Sequence, residues 1–160
     1  MRFKMTVSKS INAYLESVAE LRDANILGRA LYEGAKIVAD EVRSEIETIP
    51  DQSRGQSKRS GLSPEQKQGL RDGLGITRAQ ADGMTINVKI GMDGYNSKVT
   101  KGWPQGQPNA MIARSIEGGT QFLEAHPFIG PAVRKSRAAA LKAMADTYDK
   151  EAAKIMGGRS

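Results

Sequence analysis

"ARSIEGGTQFLEAHPFIGPAVRKSR", residues 113–137, links two apolar-periodic runs through two glycines, a threonine, an aromatic, the single histidine and a Pro-Phe-Ile-Gly-Pro cluster. Upstream, "NAMIARSIEGG" has the spacing of a short helix ended by glycine. Downstream, Pro131 is expected to open a helix whose apolar stripe is Ala138, Leu141, Ala145, Tyr148, Ala152 and Ile155, closed by Gly157 and Gly158. Between them, Gly118 and Gly119 permit a sharp exit, Thr120 can bond local backbone, and Pro127 and Pro131 stiffen a turn around a buried Phe128. Such a stretch is either an active-site loop or a rigid corner that presents a surface.

Working outward, a second long helix is predicted over about 24–48. Ile26, Leu27, Ala30, Leu31, Ala35, Val38, Val42, Ile46 and Ile49 continue the apolar pattern, and Pro50 ends the run. Before it, Met1, Phe3, Met5 and Val7 alternate with polar residues, predicting a strand at 2–7, and Ser8 or Ser10 can cap a helix carrying Ile11, Leu15, Val18 and Leu21. Ser63-Pro64 starts a short helix to about 72. "MTINVKIGM", 84–92, alternates as a single strand, paired with "GLGIT" through the "RAQADG" turn at Asp82-Gly83. Residues 51–62 and 93–108 read as long, polar, poorly structured surface loops. The whole, 1–160, is expected to be one α+β domain. A small antiparallel sheet would pack against the long helix of the N-terminal half and the C-terminal helix, around a thin, aromatic-poor core.

Composition narrows the chemistry. Without cysteine there are no disulfides, thiolate metal sites or cysteine nucleophiles, and synthesis in reducing cytosol is the natural expectation. The N-terminus has no continuous apolar stretch of signal type and no window is long and apolar enough to span a membrane, so a soluble protein with no membrane partner is expected. Glycine runs at 73–75 and 117–120 lack the strand, loop, lysine and helix order of a phosphate cradle, and "MDGYNS" has too few carboxylates for a calcium loop. No cofactor and no metal are expected. His126 could act as a general base only with Glu117 or Glu124 beside it; a turn histidine packed next to Pro127 is the preferred reading.

The net charge is +6, unevenly spread. Residues 94–116 hold Lys98, Lys101 and Arg114 without an acid, and 131–145 hold Arg134, Lys135, Arg137 and Lys142 without one. Either block could touch phosphate, but neither shows stacking aromatics or a reading helix, so a solvated or protein-facing surface is preferred over nucleic acid. The long helix ends acidic, with Asp40, Glu41, Glu45 and Glu47, while the last helix starts basic. Both oppose their helix dipoles, so the two sets are expected to answer each other, within the chain or between subunits.

"SIEGGTQFLEAHPFIGPAVRKS" resembles the E-x-G-T, spacer, P-F-[I/L]-x-P-A signature of the HK ninety-seven gene-product-ten-like tail-component family of tailed phages, typified as tail completion or neck proteins. The order of the remaining pieces is similar too: a strand and helix at the start, a long helix ending at Pro50, "GLRDGLGIT", "INVKIG" ending at Gly91, then the corner and a terminal helix. Segment 51–69 is longer than the family's link and lacks its threonine, and 93–108 is extended.

The resemblance implies a non-enzymatic virion protein at the neck or head-proximal tail end, assembled in the host cytoplasm. It would form a ring around a DNA channel, with a hexamer favoured over a dodecamer and with connector and tail-tube or tail-terminator proteins as neighbours. The expected contacts are Glu117, Gly118, Gly119, Thr120, Pro127, Phe128, Pro131, Arg134, Lys135 and Arg137, and, in the loops, Arg54, Lys58, Arg59, Lys98, Lys101 and Trp103. The alternatives are a basic DNA-binding phage accessory protein and, less favoured, a hydrolase built on His126.

Overall fold

The computed structural model describes residues 24–55, 57–82 and 85–157; the strand expected at 2–7 and the helix after Ser8 or Ser10 lie outside them. The predicted long helix is α1, Ala24–Thr48, and the last element is α4, Ile129–Gly157. These two pack along each other, and Gly34 of α1 makes their approach close: a Cβ there would collide with Met144 and sit 3.2 Å from the Ala140 carbonyl. Ala39, Val42, Ile46 and Ile49 continue the buried face of the α1 segment. They meet Leu62, then Leu70 and Leu74, then Ile112, Ala113 and Ile116, and finally Phe128 and Ala132 in one core cluster.

The shorter helices follow their local signals. In α2, Pro64–Gly73, the Gln66 N–H donates to Ser63 Oγ at 3.4 Å while the Ser63 N–H donates to Gln66 Oε1 at 3.1 Å, a reciprocal cap. In α3, Asn109–Gly118, the helix ends at Gly119 with φ at 72°. A side chain at Gly119 would be strained by that angle and would also press on Ala125 at 3.0–3.1 Å.

The strands form three two-stranded antiparallel ladders among the described residues. They are β1 (Ser53–Arg54) with β2 (Arg59–Ser60), β3 (Leu74–Ile76) with β6 (Ile90–Met92), and β4 (Gln80–Asp82) with β5 (Thr85–Asn87). The architecture is α+β, as expected, but 84–92 is not one strand. It divides into β5 and β6 because the register shifts: Ile76 faces Ile90 and Gln80 faces Asn87, leaving three residues opposite two. This is a bulge, and Thr77 bridges it by donating its N–H to the Lys89 carbonyl and accepting the Lys89 N–H on its hydroxyl, both at 2.9 Å. Residues 78–82, expected to turn, mostly extend the hairpin instead.

Two further expectations are corrected. Segment 51–62 is a hairpin rather than an unstructured loop, because buried Leu62 anchors one end and its backbone pairs with Pro50 and Gln52 at 3.0 Å. The apolar stripe of α4 is also rotated from the expected face. Ala132, Ser136 and Ala140 are buried, whereas Ala138, Leu141 and Ala145 are exposed. Ser136 fits the buried face because its hydroxyl donates to the Ala132 carbonyl at 2.7 Å. Further on, Tyr148, Ala152 and Ile155 are half-buried, as the stripe required.

The rotated face predicts opposite outcomes at neighbouring positions. Ala140→Leu should destabilise by about 1–3 kcal/mol through overpacking, while Leu141→Ala should stay within about 0.5 kcal/mol of the parent. Urea unfolding of both variants measures this, and the reverse ranking would restore the stripe containing Leu141.

Candidate functional site: a capped corner between two helices

Glu117, in the last turn of α3, reaches across the corner to the start of α4. Its Oε2 accepts the Phe128 N–H at 2.7 Å and the Ile129 N–H at 2.9 Å, and its Oε1 accepts the Gly130 N–H at 3.0 Å. The next residue is Pro131, which has no N–H, and Ala132 makes the first ordinary helical bond, to the Phe128 carbonyl at 3.1 Å. One carboxylate therefore satisfies every free donor at the start of a helix that begins two residues before the expected Pro131. Partial burial pushes the Glu117 pKa up, but the three backbone bonds and the Arg134 cation outweigh it and hold the group below its ordinary 4.5.

The rest of the corner is equally local. Thr120 Oγ1 accepts the N–H groups of Phe122 at 3.1 Å and Leu123 at 3.0 Å, and the Thr120 N–H donates to the Leu123 carbonyl at 2.9 Å. The chain then turns back so that the His126 N–H closes on the Ile116 carbonyl at 2.7 Å. Phe128 is fully buried in the core, so of the residues expected as contacts it supports the corner from within and offers no surface. Pro127, Gly118 and Thr120 lie at the surface or partly so.

His126 has one side-chain partner among the described residues, Thr48 Oγ1 at 3.3 Å from Nε2. Glu117 is engaged by backbone and Glu124 is exposed, so the His-carboxylate pair that a hydrolase would require is not assembled. Among the described residues no group of three His, Cys, Asp or Glu could hold a metal ion, and no helix is long and apolar enough to cross a membrane.

The opposed helix ends answer each other through Lys135, while the remaining ion-paired acids at the end of α1 are met by α2 and by α1 itself. Lys135 pairs with Glu45, whose side chain is almost wholly buried, Arg71 binds Glu47 at 2.6 Å, and Arg43 binds Asp40 at 2.8 Å. Lys142 pairs with Asp146 at 2.6 Å, and Arg134 lies close enough to Glu117 to favour its charged form.

The two loop segments converge on the corner. The Arg59 N–H donates to the Phe122 carbonyl and the Glu124 N–H to the Arg59 carbonyl, both at 2.9 Å, so β2 is stitched to the stretch after Thr120. Lys98 Nζ reaches Gln52 Oε1 at 3.1 Å, joining the other loop to the same hairpin. Loop 93–108 is held by buried Asn96, whose Oδ1 accepts from the Lys98 N–H at 3.0 Å and the Gln107 N–H at 3.3 Å, and by paired bonds between Thr100 and Trp103 at 3.0 and 3.1 Å. Arg59 and Lys98 thus share one surface region with Phe122, Trp103 lines a separate notch with Tyr95, and Arg134, Lys135 and Arg137 belong to α4. The expectation that the basic blocks lack aromatics fails here, since Tyr95, Trp103 and Phe122 all stand exposed. Tyr95 and Trp103 sit within the acid-free block 94–116, but Phe122 comes from outside it, so only tertiary pairing brings it in.

On the opposite side of α3 lies a groove of about 580 Å³ lined by Val38, Val42, Ile90, Met92, Ile129 and Val133 among others. Ala110, Ala113 and Glu117 border this groove, while Ile112 and Ser115 face the Arg59–Phe122 side. No family model, curated protein or solved structure matches this chain.

Two outcomes test the corner. Glu117→Ala should cost about 1–3 kcal/mol, because several partly buried donors lose a charged acceptor. The Glu117 contribution exists only while the group is ionised, so the stability gap between parent and Glu117→Gln should be full above the ordinary pKa of 4.5 and close as pH falls through the lowered folded value. A gap that persists unchanged in acid would rule out the charged cap. Separately, Lys135→Glu should lower the melting temperature by opposing a like charge to buried Glu45, and adding Glu45→Lys should recover part of the loss.

Proposed function

We propose that this chain is a structural, non-enzymatic virion protein of a tailed phage, a neck or tail-completion component that forms a ring at the head-tail junction around the DNA path. The observation that carries the reading is the Glu117 cap. It accounts physically for the glutamate, glycine, threonine and Pro-Phe-Ile-Gly-Pro positions of the resemblance as one rigid corner, with the carboxylate spent on backbone and the histidine ring on Thr48. A corner of this kind presents surface at low ordering cost. The exposed apolar residues Ile129, Val133 and Leu141 on α4 support assembly, since ring subunits need complementary patches that close by rotation. A hexamer is the favoured ring, with connector and tail-tube or tail-terminator proteins above and below it.

Native mass measurement of the purified protein, together with antibody labelling of virions in negative stain, tests the proposal. The expected result is a closed ring and label confined to the neck or head-proximal tail end. A monomer at every concentration, with no label on any particle, would overturn it.

A further inference from the structure

Cations are handled in two ways on this molecule. Arg29, Lys36, Arg43, Lys67, Arg71, Lys135, Lys142 and Lys154 each pair with a carboxylate. Among the described residues Arg78, Lys89, Arg114, Arg134, Arg137 and Lys150 make no salt bridge at scattered sites, and a further set gathers around the β1–β2 hairpin and loop 93–108. Among the described residues, Arg54, Lys58, Arg59 and Lys101 make no ion pair, and Lys98 bonds only the neutral Gln52 side chain. Glu65 and Glu124 border this region; neither forms a salt bridge with any of the five, though, after hydrogen bonds from its own backbone and from Ser63, the Lys98 charge helps to hold the Glu65 carboxyl below its ordinary range. Arg54 and Arg59 are directly opposed across the two-residue ladder, an arrangement of like charges that costs stability unless an anion lies between or above them.

Flat apolar rings stand exposed both on the corner next to this hairpin and on loop 93–108. Phe122 is 63% exposed beside Arg59 and Lys98, Tyr95 is 67% exposed and Trp103 39% exposed. Tyr95 and Trp103 flank a notch closed by Pro104, Gln105 and Gly106. The loop holding them is already ordered by Asn96 and by the Thr100–Trp103 bonds, so binding need not first organise it. Unanswered cations alone would suit any polyanion. Exposed rings interleaved with them suit one whose units also offer flat π-faces, and in a duplex those faces are hidden by stacking.

We infer that this surface binds single-stranded nucleic acid, with phosphates on Arg54, Lys58, Arg59, Lys98 and Lys101 and unpaired bases stacked on Tyr95, Trp103 and Phe122. The inference stands apart from the ring proposal. A monomer that binds the strand would keep this inference and sink the ring, and a ring that fails to bind would do the reverse.

Trp103 is the only tryptophan in the chain, so its emission reports on the loop directly. The full chain is titrated with a single-stranded oligothymidylate, a duplex of the same length and polyglutamate. Saturable quenching by the single strand is expected, weakening linearly on a log-log plot against salt. Arg59→Ala and Lys101→Ala should each flatten that slope by about 0.7. Tyr95→Ala and Phe122→Ala should weaken binding by about 5- to 100-fold while leaving the slope unchanged. All four side chains are exposed or loop-borne, and unchanged melting curves would confirm that the variants are folded. Absence of quenching at low salt, equal binding of polyglutamate, or duplex binding as tight as single-strand binding would each overturn the inference.

Discussion

The corner of this protein depends on one carboxylate meeting one helix end. The free N–H groups at the start of α4 have no intrahelical acceptors, and the first turns of that helix also carry Arg134 and Lys135, which oppose its dipole. Glu117 supplies the acceptors and a countercharge together. Because Glu117 itself sits in the last turn of α3, the same contact fixes the angle between two helices, and Phe128 is carried into the core by the chain between them.

The loops inherit their order from that corner. Thr120 bends the backbone so that 122–124 lie alongside β2, and the hairpin 51–62 is thereby a two-sided structure rather than a solvated excursion. Buried Leu62 at its base contributes the hydrophobic part of the anchor. Loop 93–108 then joins through Lys98 and Gln52, with Asn96 as its internal staple. Cations and aromatics far apart in sequence become neighbours only through these backbone pairings, while the apolar groove is left on the other side of α3.

Much of this was legible beforehand where the signal is local. The end of α1 before Pro50, the Ser63 start of α2 and the glycine end of α3 each rest on periodicity or capping chemistry that adjacent residues specify, and each matches its element. The signals that misled were those with more than one local solution. The alanine-rich C-terminal helix offers several faces of similar apolarity, and a serine able to bond its own backbone can line the core as well as an alanine can. The alternation at 84–92 is continuous, yet its partner strand carries an extra residue, and a bulge is a property of the pair. Glu117 could be named as part of a motif, but its use as a cap for a helix eleven residues away required the turn to be seen.

By itself, then, the sequence determined the presence of the described helices, most of their ends, the absence of thiol chemistry, the positive charge and the place of the corner, because these follow from composition and from interactions spanning a few residues. The tertiary structure alone decided which face of α4 is buried, which acids answer which cations, and which basic residues are left unanswered beside exposed rings. Those outcomes depend on how closely α4 can approach Gly34 and on the backbone pairing of β2 with the stretch after Thr120, and neither distance is encoded by local spacing.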